Sequence, residues 1–158
     1  MPDSPKAKAL DASAVQPRIG SSYPPPFDKP CANRERRALG NAFGLSQFGV
    51  NLLTLPPGAW SSQRHWHEQE DEFVYVLEGE VTLIIDAGEQ RLTPGMAAGF
   101  PAGDRDGHHL VNRSDRPAQV LEVGTRADRD YAEYPDIDMT VEITDGTARF
   151  RHRNGEPY

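Results

Sequence analysis

From Leu45 onward the chain is a succession of short apolar runs cut by Pro and Gly, and this punctuation constrains the fold more than any other feature. Phe48–Leu55 leads into Pro56-Pro57-Gly58, and Ser62–His67, Glu72–Glu78 and Val81–Asp86 follow, set off by Gly79 and by Ala87-Gly88. Gln90–Leu92, Met96–Phe100, His108–Asn112 and Ala118–Val123 come next, with Pro94-Gly95 and Pro101-Ala102-Gly103 between them. None of these runs carries a helical period. About eight short strands joined by turns describe an all-β sandwich or barrel. Farther on, Thr140–Thr144 and Thr147–Arg151 flank Asp145-Gly146, a two-residue turn suited to a type I′ hairpin that extends the sheet.

At 158 residues the chain is the length of one compact domain. The pattern divides it into a tail and arm over residues 1–44, a barrel over 45–125, and an extension with a β-hairpin over 126–158. Residues 1–16 have no period and are expected to be mobile or loosely docked. The run from Gly20 to Phe27 contains three consecutive prolines, which lack amide donors, so it reads as an extended arm packed on its own barrel or on a twin subunit.

Composition removes several function classes. The formal net charge of −7 gives no basic footprint for nucleic acid. No stretch approaches the roughly 18 apolar residues of a membrane span, and the N-terminus has no apolar leader core, so a cytoplasmic protein is expected. All three lysines, Lys6, Lys8 and Lys29, lie in the first thirty residues, which argues against Schiff-base chemistry in the barrel. The lone Cys31 can supply neither an internal disulfide nor a paired-cysteine metal site. Serine-nucleophile elbows, phosphate-binding loops and dinucleotide fingerprints are absent from the sequence.

The chemistry therefore rests on His and carboxylate. His65 and His67 are two apart in what reads as a strand, so their imidazoles share a face. Glu72 opens the next strand, and a turn over residues 68–71 brings its carboxylate beside the pair. His108, at the start of a later strand, can close the group as a third imidazole. Such an N/O set suits one divalent transition metal ion such as Zn, Fe, Mn or Ni rather than calcium. Gln63 has the parity of the two histidines and is expected to face the pocket as a substrate-binding residue, whereas Arg64 and Trp66 have the other parity. Asp104–Gly107 is expected near the pocket mouth, and Tyr131, Tyr134 and Asp136 in a segment that could fold across it.

These residues resemble the two motifs of the cupin superfamily. Gly58, His65, His67, Glu72 and Gly79 match the first motif, and Gly95, Pro101, Gly103, His108 and Asn112 the second; together they span about a third of the chain. Gly58 stands one residue farther from His65 than usual, and the gap from Gly103 to His108 is two residues longer. The family's four-residue step to Asn112 selects His108 over His109, and its spacing to Gly79 selects Glu72 over Asp71. The resemblance implies a double-stranded β-helix (jelly-roll) barrel, commonly a homodimer, with a metal near one open end. Three activities are consistent with it: a metal-dependent enzyme acting on a small polar metabolite, with sugar or sugar-phosphate isomerisation as one form; a non-enzymatic cupin that binds or senses a small-molecule ligand; and an iron-dependent dioxygenase. Phosphate would have to be met by arginine, and Arg64, Arg91, Arg105 and Arg113 have no assured inward position. Neither nucleic acid nor membrane is expected as a partner.

Overall fold

The computed structural model describes residues 7–158. Thirteen strands run in chain order as β1 (Arg18–Ile19), β2 (Glu35–Ala38), β3 (Phe48–Leu55), β4 (Trp66–His67), β5 (Glu72–Glu78), β6 (Val81–Ile85), β7 (Gly88–Leu92), β8 (Ala97–Phe100), β9 (His109–Val111), β10 (Ala118–Thr125), β11 (Arg129–Tyr134), β12 (Met139–Thr144) and β13 (Thr147–Arg151). One five-residue helix, α1 (Leu39–Phe43), and two 3₁₀ turns complete the elements.

A six-stranded antiparallel sheet in the order β1-β2-β3-β10-β5-β8 faces a three-stranded sheet, β7-β6-β9, and a four-stranded sheet, β13-β12-β11-β4. This is the jelly-roll barrel that the motifs imply. Alternation within β5 explains how one strand serves core and surface together: Val74 and Val76 are buried while Phe73, Tyr75 and Leu77 point outward. Leu53, Val76 and Val120 meet in register across β3, β10 and β5, and Val81, Leu83, Leu92 and Leu110 close over them. A second cluster forms where Ala132, Tyr134, Met139 and Val141 of the four-stranded sheet pack with Tyr23 and Phe27 from the N-terminal arm.

The barrel segment holds the eight strands expected, β3 to β10, and the expected hairpin is β12 and β13; β1, β2 and β11 are added because the flanking segments are themselves built into the sheets. Residues 1–6 lie outside the described residues, so the expectation of a mobile end is addressed only from Ala7. From there Asp11 caps a 3₁₀ turn at Ala12–Ala14, and Arg37 donates to the carbonyl of Val15. β2 pairs with β3 and carries Arg36 onto the inner face beside Leu53. In the hairpin of β12 and β13, Asp145 (φ 49°) and Gly146 (φ 76°) both take the positive φ that a type I′ turn requires.

Candidate metal centre

The centre is assembled by backbone pairing. His65 and His108 exchange amide–carbonyl hydrogen bonds of 3.2 and 2.9 Å, which sets their imidazoles side by side. β4 carries His67 and pairs with β11, while Glu72 at the start of β5 lies opposite Phe100 of β8 and Gly124 of β10. The glycine leaves space beside the carboxylate: a Cβ at Gly124 would stand 3.9 Å from Glu72 Cγ. Gly79 closes the same hairpin region at φ 72°, where a Cβ would meet the Pro117 carbonyl oxygen at 2.6 Å, so the motif glycine is required by both conformation and space.

Three imidazoles address one carboxylate. Glu72 Oε2 lies 2.7 Å from His108 Nε2 and 3.3 Å from His65 Nε2, and Oε1 lies 3.5 Å from His67 Nε2. Despite these approaches, Glu72 Oε2 is buried without a hydrogen-bond partner, because the atoms converge on a common point rather than aligning donor to acceptor. His65, His67 and Glu72 offer ligand atoms within 4.8 Å of one another, a group able to hold a metal ion. His108 reaches the same carboxylate and is stacked on Phe100 at 3.5 Å with an interplanar angle of 1°.

The nitrogens remote from the group set the tautomers. His65 Nδ1 lies 2.8 Å from the Gln63 carbonyl, which can only accept, so Nδ1 carries a hydrogen and Nε2 is the nitrogen turned toward Glu72. His67 Nδ1 lies 2.5 Å from Asp130 Oδ2, and Asp130 also accepts from the Gln69 amide. Burial works against charge on His67, but Asp130 and Glu72 outweigh it and push its pKa up to about 10. Burial likewise opposes the Glu72 anion, yet the surrounding histidines hold its carboxyl well below the usual range. Burial pushes His108 down, leaving it a neutral nitrogen donor. The group thus turns nitrogen and carboxylate donors toward one point, where a divalent cation would take the place of the Nε2 proton of His67.

Two cavities meet at this group, and Arg36, Ser62, His65, Glu72 and Glu122 line both. The first, about 250 Å³, runs past Asn51, Glu70, His108 and the side-chain-free positions Gly49 and Gly124. The second, about 210 Å³, is bounded by Ser21, Ser22 and Tyr23 of the arm, by Arg34, and by Tyr134, Val141, Ile143 and Phe150 of the four-stranded sheet.

His65, His67, Glu72 and His108 are therefore brought together. Asp71 turns away to accept from the Ala102 amide, and His109 Nδ1 lies 2.8 Å from the Ser62 carbonyl. Gln63 lines neither cavity: its side-chain amide donates to the Phe27 carbonyl, tying the arm to the barrel. Strand parity fails there because residues 61–64 form bends rather than regular strand, and Ser62 takes the cavity-facing position instead. The Asp104–Gly107 insertion lines neither cavity either; Asp106 accepts from the Asp86 amide and Gly107 packs against Pro135 and Arg64. Tyr134 lies beside His65, whereas Asp136 forms an ion pair with Arg64 outside the cavities.

Arg34, Arg36, Glu122 and Asp130 were not apparent from sequence. Glu122 had a signal, since an acidic residue at the inward parity of the Val120 strand breaks the apolar rule. Arg34, Arg36 and Asp130 lie outside both motifs and carry no local mark.

A cupin domain model matches residues 51–124. A crystal structure of a sugar phosphate isomerase from a cupin superfamily, from Silicibacter pomeroyi, superposes with a TM-score of 0.91 at 47% identity, covering 95% of this chain and 96% of that one. A provisionally named sugar phosphate isomerase of Acidithiobacillus ferrooxidans superposes with a TM-score of 0.73 at 30% identity, covering 80% and 81%. Among curated proteins, the tetracenomycin polyketide synthase protein TcmJ of Streptomyces glaucescens is 28% identical over 81 residues, which is 51% of this chain and about half (52%) of that relative's length.

Proposed function

Because the chain belongs to the cupin superfamily, we propose that it is a metal-dependent isomerase of a small sugar phosphate. The observation that carries this reading is the buried, hydrogen-bond-free Glu72 Oε2 at the focus of three imidazoles, at the meeting point of two cavities lined by charged side chains. Two neighbours at 30% identity or more, covering 95% and 80% of this chain, bear names of that activity. His65, His67, Glu72 and His108 would hold the ion, which supplies Lewis-acid polarisation of a carbonyl or hydroxyl oxygen.

The remaining work falls to residues of the chain. Glu122 is the carboxylate outside the ligand group that lines both cavities, held by Arg36 at 2.9 Å. It takes a proton from the carbon beside the carbonyl and returns it to the neighbouring carbon. Together with transfer of the hydroxyl proton between the two oxygens, this exchanges carbonyl and hydroxyl with no net change in atoms or electrons. The apolar wall of Val141, Ile143 and Phe150 limits water around the reacting carbons. The outward residues Phe73, Tyr75 and Leu77 of β5 give the six-stranded sheet an apolar outer face suited to a homodimer.

Elemental analysis of protein purified without added metal, paired with proton exchange from D₂O into aldose and ketose phosphates followed by NMR, tests the proposal. Near-stoichiometric metal is expected, lost in His65→Ala and His108→Ala, while Glu122→Gln keeps the metal and loses exchange. Bound metal with no exchange on any sugar phosphate would replace the isomerase with a metabolite-binding cupin.

A further inference from the structure

We propose that the second cavity is an oxyanion subsite in which Arg34, with the hydroxyls of Ser21 and Ser22, receives the phosphate of the substrate. This deepens the isomerase reading and rests on it for the identity of the ligand. Arg34 is only 6% exposed, yet among the described residues it forms no ion pair. Its Nε donates to the Gly20 carbonyl at 3.0 Å and its Nη1 to the Ser61 carbonyl, so both bonded acceptors are neutral and Nη2 is left over. A guanidinium buried without a counter-charge is costly, and a ligand anion is the ordinary way to offset it.

The neighbouring charges do not satisfy Arg34. Arg36, from the same segment, is matched by Glu122, so the wall between arm and barrel holds two guanidiniums and one carboxylate outside the metal group. Ser21 and Ser22 line the same space and add neutral donors. A phosphate monoester carries close to two negative charges and three acceptor oxygens, which matches this surplus of donors better than a single carboxylate does. The cavity also borders His65, His67 and Glu72, so an anion held by the arm leaves the rest of a short polyol chain at the metal group and Glu122. The arm is held in place from both sides: Tyr23 packs edge-on against Tyr134 and Phe150, and Gln63 bonds the Phe27 carbonyl.

Calorimetric titration of the purified, metal-containing protein with inorganic phosphate tests the assignment, with acetate as the carboxylate arm. Saturable binding of one phosphate is expected, weaker by about ten- to a hundredfold in Arg34→Gln and by several-fold in Ser21→Ala/Ser22→Ala. Protein stripped of metal by a chelator is expected to bind phosphate within a few-fold of the metal-containing protein, which separates this subsite from phosphate bound directly to metal. Because Arg34 also bonds two carbonyls, the serine double variant decides the matter if Arg34→Gln does not fold. No saturable binding, affinity unchanged in the serine variant, loss of binding in the metal-stripped protein, or acetate binding as tightly as phosphate would each overturn it. Sugar-phosphate turnover does not enter these readouts, so the subsite can stand while the isomerase reading falls, and the reverse.

Discussion

Residues 51–124 and the segments on either side of them build the same site with different kinds of residue. The central segment contributes His65, His67, Glu72 and His108, whose ring nitrogens and carboxylate converge within one barrel. The flanks contribute Arg34 and Arg36 from before it, and Asp130 and Tyr134 from after it, none of which faces Glu72 as a ligand. The first set forms a group able to hold a cation; the second orients His67 and places further charge along the cavity wall. Both sets meet through strand pairing distant in sequence, but the converging residues sit in two recognisable motifs, whereas the orienting residues lie outside them.

That contrast can be broken at several points. The largest expected effect lies in the central segment: Gly79→Ala forces a Cβ against the Pro117 carbonyl oxygen at positive φ. It should cost about 2–3 kcal/mol, read as a lowered midpoint in denaturant titration with the slope unchanged. A midpoint equal to the unaltered protein would show that the hairpin relaxes freely. Next comes Asp130→Asn in the flank. It keeps the shape of the side chain but removes the charge that orients His67, so metal affinity should fall by roughly 10–100-fold, and the metal-free protein should melt lower near neutral pH because the buried partner of His67 is lost. Unchanged affinity, measured by competition with a chromogenic chelator, would confine the metal site to the central segment alone.

Association is expected to be affected on a third, independent surface. Tyr75→Glu places a charge on the outer face of β5, and sedimentation should show a shift from dimer toward monomer with metal content retained. A chain that sediments as a monomer before substitution would remove the homodimer from the proposal. The smallest effect is expected for Glu89→Gln, which removes the exposed ion pair with Arg113; no measurable change in midpoint or metal content is expected.

The legibility of the molecule follows the same division. Phe48–Leu55 and Glu72–Glu78 could be read as strands because their period-2 alternation is a local property, and the hairpin at Asp145-Gly146 because its turn chemistry is local too. Gln63 was misplaced for the converse reason. Parity holds only along regular strand, and the bends over residues 61–64 turn its amide toward Phe27. The arm's proline run gave no hint that β2 would add to the six-stranded sheet, since its partner β3 is found only once the barrel closes.

By itself, the sequence determined the barrel and the candidates for its centre, because alternation, turn glycines and the spacing of His65, His67 and Glu72 are local properties, and the second motif marks His108. Only the tertiary structure decided that Asp130 backs His67, that Ser62 rather than Gln63 faces the cavity, and that Arg34 is buried against the Gly20 and Ser61 carbonyls. Those outcomes depend on which distant strands pack together, and the energy of placing a charge depends on what surrounds it after packing.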